Sequence, residues 1–212
     1  MLKLLIPCII VCCLIVFPIT NAGAVGLGFY VERGSGSSDW EEEDDYDNTN
    51  DFDTDDKRAG FGFVLDTNVA QDRLFNYRLQ IGYEKRDTEI KNSIDSADLK
   101  GFVMSHDFGF GVLRTRNVRL WLGPELRLAY YTGSPKINDD LDISIFEYGI
   151  GPVVGANFNI GSTVTLAVKT GYLFQGFVGI GEDDFDDEYT YTGTSRNFYV
   201  NFAIIFRIGD VF

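Results

Sequence analysis

The sequence predicts an all-β chain: eight antiparallel strands closed into an up-and-down transmembrane barrel after an N-terminal signal peptide. Three observations predict it. Eight stretches alternate apolar and mixed residues, the connections between them alternate short and long, and the last stretch runs into a terminal aromatic residue, Phe212. A strand sends successive side chains to opposite faces, so each stretch would present one apolar face and one mixed face.

Residues 1–24 form a segment of their own. Met1 to Lys3 supplies one positive charge, Leu4 to Ile19 is almost unbroken apolar sequence, and Asn21-Ala22-Gly23-Ala24 offers small residues for cleavage after Ala22 or Ala24. That layout is a secretory signal peptide. The alternative is an uncleaved anchor, for which the apolar run is short of the ~20 residues a spanning helix needs. Val11-Cys12-Cys13 lacks the small residue that a lipoprotein signal places before its cysteine. All three cysteines fall in this segment, so the barrel of residues 25–212 is expected to hold neither disulfides nor thiolate metal sites.

The strand candidates follow in order. Val25 to Glu32 sets Leu27, Phe29 and Val31 against Gly26, Gly28 and Tyr30. Arg58 to Asp66 sets Phe61, Phe63 and Leu65 against Gly60, Gly62 and Val64. Arg73 to Arg86 is the cleanest case, with Phe75, Tyr77, Leu79, Ile81 and Tyr83 opposing Asn76, Arg78, Gln80, Gly82 and Glu84. Leu99 to Leu113 places Phe102, Met104, Phe108 and Phe110 opposite Gly101, Ser105, Asp107 and Gly109. In Val118 to Thr132, Leu120, Leu122, Leu126, Leu128 and Tyr130 oppose Arg119, Trp121, Glu125, Arg127 and Ala129. Ile145 to Asn159 opposes Phe146, Tyr148, Ile150 and Val154 to Glu147, Gly149, Gly151 and Gly155. Thr163 to Phe177 opposes Val164, Leu166, Val168 and Tyr172 to Thr165, Ala167, Lys169 and Gly171. Arg196 to Phe212 carries Phe198, Val200, Phe202, Ile204, Phe206 and Ile208 on one face.

Short connections (Asp66 to Asp72, Arg114 to Asn117, Asn159 to Ser162) alternate with long polar ones (Arg33 to Lys57, Asp87 to Asp98, Gly133 to Asp142, Gly181 to Ser195). Outer-membrane barrels have this layout, with the longer loops outside. The even strand count then brings both mature termini to the periplasmic side. The large, aromatic-rich set on each strand suits a hydrocarbon-facing wall. The small and polar set suits the interior of an eight-stranded barrel, which side chains fill. In lipid the backbone groups demand closure. Tyr83, Tyr130, Tyr148 and Tyr172 lie on the apolar face, where interfacial aromatic belts form.

On these residues the mature chain resembles the small eight-stranded outer-membrane barrels, an OmpA/OmpX-like group among the porin-family β-barrel proteins of Gram-negative cell envelopes. The resemblance implies a bacterial outer-membrane location among lipid and lipopolysaccharide. It also implies a final strand read by the barrel-assembly machinery. Phe202, Ile204, Phe206, Ile208 and Phe212 match that assembly signal, while Asp210 stands where an apolar residue is usual. A barrel without a following peptidoglycan-binding domain is expected.

Similar barrels carry an inward polar network that plugs the lumen, and here Arg78, Glu84, Asp107, Arg119, Glu125, Arg127, Glu147 and Lys169 are its candidates. Charges in a dry interior are tolerable only when paired. The functional alternative is a narrow path for ions or small solutes.

The net charge of −14 argues against a nucleic-acid partner, which would need Lys and Arg for the phosphate backbone. Most of the acid lies in the long connections, as in DWEEEDDYDNTNDFDTDD and EDDFDDEYTYTGT. Such runs are expected to be disordered, or bridged by a metal. Asp44, Asp45, Asp53, Asp183 and Asp184 are candidate ligands for calcium, though EF-hand spacing is missing. The alternatives are a solvated acidic surface and divalent bridging to lipopolysaccharide phosphates.

No cofactor is implied. His106, the one histidine, stands beside Ser105 and Asp107, and because some barrels of the kind this chain resembles are lipid-modifying hydrolases, the resemblance raises that activity as an alternative. A serine nucleophile needs its hydroxyl within reach of the imidazole, and neighbours in a strand point to opposite faces. The favoured expectation is therefore a non-enzymatic envelope or surface-interaction protein. A soluble secreted barrel is the remaining rival.

Overall fold

The computed structural model describes residues 25–44, 48–67, 73–93, 95–136, 141–182 and 188–208. They form β1 (Val25–Asp44), β2 (Thr49–Asp66), β3 (Phe75–Ile90), β4 (Ser96–Arg114), β5 (Val118–Pro135), β6 (Asp142–Ile160), β7 (Val164–Glu182) and β8 (Glu188–Ile208). Each strand pairs antiparallel with its sequence neighbour, and β1 pairs with β8, so the sheet closes into a barrel. Val25 faces Ile208 at the seam. Closure leaves no strand edge along the spanning region, the condition for a backbone surrounded by hydrocarbon.

The two faces sort as a membrane requires. Phe202 is 58% exposed and Leu166 40% exposed, whereas Arg127 and Lys169 are only 2% and 1% exposed. The apolar side chains therefore form the outer wall of a transmembrane barrel, and the ionic ones fill its interior. Tyr83, Tyr130, Tyr148 and Tyr172 all stand on the exposed wall, and Tyr30 points inward and is buried.

The strands are longer than their apolar alternation. They run from 16 residues in β3 to 21 in β8, against about 9–11 for a span. The surplus lies on one side. Arg33 to Lys57, expected as a loop, instead continues β1 and β2 in an unbroken ladder from Arg33↔Ala59 to Glu43↔Thr49. Gly181 to Ser195, also expected as a loop, continues β7 and β8 up to Glu182↔Glu188. Asp87 to Asp98 and Gly133 to Asp142 are likewise shortened by strand extension. The expectation of disordered acid is thus corrected for residues 33–44 and 49–57. Beyond the bilayer the outer face of a strand meets water, so the strand continues without the outward apolar set that marks the span.

At the other end the turns are short. Thr115–Asn117 joins β4 to β5, with the Thr115 hydroxyl donating to Val118 O at 2.8 Å. Gly161, at φ 62°, turns β6 into β7. β3 begins at Phe75 rather than Arg73, and β8 ends at Ile208. Phe212 and Asp210 lie outside the described residues, while Phe202, Ile204, Phe206 and Ile208 all face outward.

Candidate functional site

The lumen is filled from end to end. At the short-turn end Arg78 pairs with Asp66 at 2.8 Å, lies 5.1 Å over the Trp121 ring, and donates to Asn157 Oδ1 at 2.9 Å. Trp121 Nε1 donates to the same oxygen at 3.3 Å. Arg119 donates to Asn76 Oδ1 at 3.2 Å and to Leu74 O at 3.3 Å.

Above this floor Lys169 Nζ lies 2.9 Å from one oxygen of Asp107 and 3.4 Å from Glu125. Tyr199 donates its hydroxyl to Glu125. Arg127 bridges Glu32 at 2.5 Å and Glu84, and Tyr131 donates to Glu84 at 2.5 Å. The next level is centred on Glu147. It accepts from Arg58 at 2.7 Å, from Arg86 at 3.0 Å and from Gln175 at 2.5 Å. Arg86 also reaches Asp56 at 2.9 Å, and Asp56 accepts from Ser38 and from Thr88 at 2.9 Å.

An apolar lid closes the top. Trp40, Phe177, Tyr191, Tyr131, Ile143, Ile145 and Leu99 form one buried cluster, with the Trp40 and Phe177 rings 4.4 Å apart. Arg86 lies 5.5 Å over Trp40 and 5.8 Å over Phe177, so lid and charge network are continuous.

Among the described residues the buried charges balance. Glu32, Asp56, Asp66, Glu84, Asp107, Glu125 and Glu147 stand against Arg58, Arg78, Arg86, Arg119, Arg127, Lys169 and Arg207. Removing an ion from water still costs several kcal/mol after relaxation, so an unbalanced interior would be prohibitive. The net charge of −14 is therefore not carried by these buried residues.

All eight residues expected to line the lumen are buried in it: Arg78, Glu84, Asp107, Arg119, Glu125, Arg127, Glu147 and Lys169. Their partners were only half foreseen. Glu84 and Arg127 meet, as do Asp107 and Lys169, but Arg78 pairs with Asp66 and Glu147 pairs with Arg58 and Arg86. Glu32, Asp56, Arg58, Asp66 and Arg86 sit at the ends of the expected strands or within an expected loop. Continuing the inward parity past Gly60 and Glu84 would have found Arg58, Asp56 and Arg86.

His106 has the outward parity of its partners Leu79 and Leu126 but is only 2% exposed, while Ser105 and Asp107 lie inside. No hydroxyl–imidazole pair arises with Ser105. Nδ1 instead lies 2.6 Å from the Tyr77 hydroxyl, and both side chains are buried. That partner makes an imidazole tolerable in this register. The β-bulge of β4 lies between Gly111 and Leu113, away from the histidine.

The protruding wall carries the acid. On its outer face Asp39 stands opposite Asp53, Glu41 opposite Asp51, and Ser37 opposite Asp55. A groove of about 710 Å³ runs there, lined by Asp39, Glu41, Asp51, Asp53, Thr192 and Thr194 among others. Of the candidate metal ligands, Asp53 is exposed and has Lys91 Nζ 4.0 Å away. Asp44 ends β1, and Asp45, Asp183 and Asp184 lie outside the described residues. Among the described residues no group of acids and histidines has metal-site geometry.

Outside the bilayer, the Lys57 ammonium donates to Glu89 at 2.8 Å. This hydrogen bond holds the Glu89 carboxyl below its ordinary range and raises Lys57 above its own.

No family model matches the chain, and no curated protein matches it. Among solved structures it is similar to the outer membrane protease OmpT from Escherichia coli, at 9% identity over 88% of this chain and 97% of that one, with a TM-score of 0.43. It is also similar to Neisserial surface protein A, at 16% identity over 80% of this chain and 95% of that one, with a TM-score of 0.33. Ail, the attachment invasion locus protein of Yersinia pestis, is 12% identical over 80% of this chain and 97% of that one, with a TM-score of 0.27. These identities transfer no residue role.

Proposed function

We propose that the chain is a non-enzymatic integral protein of a bacterial outer membrane, and that its protruding acidic wall binds a cationic partner outside the cell. The observation that carries this reading is the cross-strand stacking of Asp39 on Asp53 and Glu41 on Asp51, held in a continuous ladder above the apolar wall. Like charges directly opposite one another are unfavourable in a sheet. A partner supplying Lys or Arg relieves that repulsion, and a rigid ladder offers it a fixed spacing. In this orientation the short turns and both mature ends are periplasmic, reached after removal of residues 1–24.

The filled lumen argues against the pore reading. All its acids and most of its cations meet an opposite charge, its floor is Trp121 and Arg78, and its lid is aromatic. A hydrolase reading finds no support around His106, whose near polar partner is a tyrosine.

The test compares cells displaying the chain with cells displaying the Asp39→Asn, Glu41→Gln, Asp51→Asn, Asp53→Asn variant, using fluorescent oligolysine as the probe. Reduced binding by the variant at equal surface amount is expected, and equal binding overturns the reading. In planar bilayers the unaltered barrel is expected to give no discrete conductance.

A further inference from the structure

We propose that a row of cations immediately above the aromatic rim, Arg33, Lys85 and Lys100, seats the phosphate groups of anionic lipid in the outer leaflet. The inference rests on the membrane reading above and goes beyond it, since the acidic wall plays no part in it.

The register defines the row. Val31, Phe61, Tyr83, Phe102 and Tyr130 are successive partners across β1 to β5, all exposed on the outer wall. Two residues further along each strand, the successive partners are Arg33, Ala59, Lys85, Lys100 and Thr132. The change from aromatic to cation is complete within about 7 Å of strand, at ~3.4 Å per residue. Aromatic side chains at that position mark the hydrocarbon boundary, and the layer directly outside it is where lipid phosphates lie.

Lys85 and Lys100 stand directly opposite each other on the same face. Like charges so placed repel, and an anion between them removes the cost. Lys85 has carboxylates of the next row within reach, Asp87 at 2.7 Å and Asp98 at 3.5 Å. Neither Arg33 nor Lys100 has an ion-pair partner among the described residues, and both are exposed. Three lysines farther out are already occupied: Lys57 by Glu89, Lys136 by Asp98, and Lys91 by Asp53 and Asp55. Arg33 and Lys100 therefore give the row positive charge to spare, at the depth where phosphate is found. Thr132, next in the row, adds a hydroxyl donor beside Lys100.

Spin-labelled lipid tests the proposal. The full barrel is reconstituted in phosphatidylcholine bilayers carrying trace spin-labelled phosphatidylglycerol or phosphatidylcholine, and the motionally restricted fraction of each label is measured. Phosphatidylglycerol is expected to be preferred, and the preference should fall by roughly fivefold or more in the Arg33→Gln, Lys85→Gln, Lys100→Gln variant. Neutralising Lys57 and Lys136 instead should leave it in place. Equal preference in the barrel and the triple variant overturns the proposal while the restricted fraction still reports an embedded barrel. Loss of the preference on adding excess inorganic phosphate identifies a free-anion site and overturns the lipid assignment. Absence of any restricted fraction overturns the membrane reading itself, and the proposal with it.

Discussion

Arg58 meets Glu147 through a two-pronged ion pair, NH1 to Oε1 at 2.7 Å and NH2 to Oε2 at 2.9 Å, joining β2 to β6 across the lumen. The two residues are 89 positions apart, and Arg86 closes on the same carboxylate from β3 at 3.0 Å. One acid thus answers two fully buried guanidinium groups. Its removal strands Arg58, while Arg86 keeps Asp56 at 2.9 Å.

Glu147→Gln is expected to destabilise the barrel by about 3–5 kcal/mol, the usual consequence of leaving a buried charge without its partner. Equilibrium unfolding of vesicle-reconstituted protein measures this. Replacing Arg58 and Glu147 together by apolar residues of similar volume should recover much of the loss, because that pair's own desolvation disappears with it while Arg86 keeps Asp56. A double variant no more stable than Glu147→Gln would show that the network contributes geometry as well as charge balance.

The Lys57–Glu89 pair behaves differently because both side chains are solvated. The hydrogen bond from Lys57 depresses the folded-state pKa of Glu89. A depressed carboxylate contributes stability that is fully present above its unfolded value, near 4.3, and that is lost as pH falls through the lower folded value. An exposed pair contributes little, and salt screens it. Lys57→Gln is therefore expected to raise the carboxyl titration midpoint of Glu89, followed by NMR, while leaving the unfolding midpoint at neutral pH almost unchanged. An unmoved titration midpoint would contradict the pairing.

The spanning half of this architecture was legible in the sequence, because hydrocarbon outside and a narrow lumen inside impose opposite demands on alternate residues. Phe75 to Glu84 shows that contrast without a break in the sequence, and Arg78, Gln80 and Glu84 are buried as expected, but Tyr77 and Leu79, expected on the exposed apolar face, are buried as well. The protruding half was not legible. From Arg33 to Glu43 the outer residues are Arg, Ser, Asp and Glu, and most of the inner ones are Gly, Ser and Glu, so no hydropathy period survives although the ladder continues. Trp40 was the one residue that betrayed it. A lone tryptophan in an acidic run is costly in water, and here it is buried against Phe177 and Tyr191. The lumen partners of Glu147 were missed for the same reason, since Arg58 and Arg86 lie where the apolar alternation gives out.

Leu122 tests the outer wall directly. It is 52% exposed and lies in the lipid-facing set of β5, between Leu120 and Leu126. Arginine there would place a cation in hydrocarbon, and Leu122→Arg is expected to cost about 2–4 kcal/mol near the bilayer midplane. Arginine at Thr132, on the same face but outside the aromatic rim, should cost far less. The contrast is read from refolding equilibria in lipid vesicles, and equal costs at both positions would remove the bilayer from its assigned depth.

Trp121 owes its place to glycine. Its ring lies along the inner wall, and a Cβ added at Gly155, its partner on β6, would come within 2.3 Å of ring atom Cζ2. On the other side a Cβ at Gly109 would come within 2.8 Å of Cε3. Gly155→Ala must therefore displace the indole and disturb the 3.3 Å hydrogen bond from Nε1 to Asn157. Overpacking of this sort costs about 1–3 kcal/mol. Gly161→Ala is the control: the added methyl meets open space, yet φ of 62° strains any L side chain, at about 1–2 kcal/mol. With Trp40 replaced by Phe, Trp121 is the sole indole of the chain, which has two. In that background both variants should unfold at lower denaturant, but only Gly155→Ala should shift the emission of the folded barrel. An unshifted spectrum would mean that the floor of the lumen can yield without moving its tryptophan.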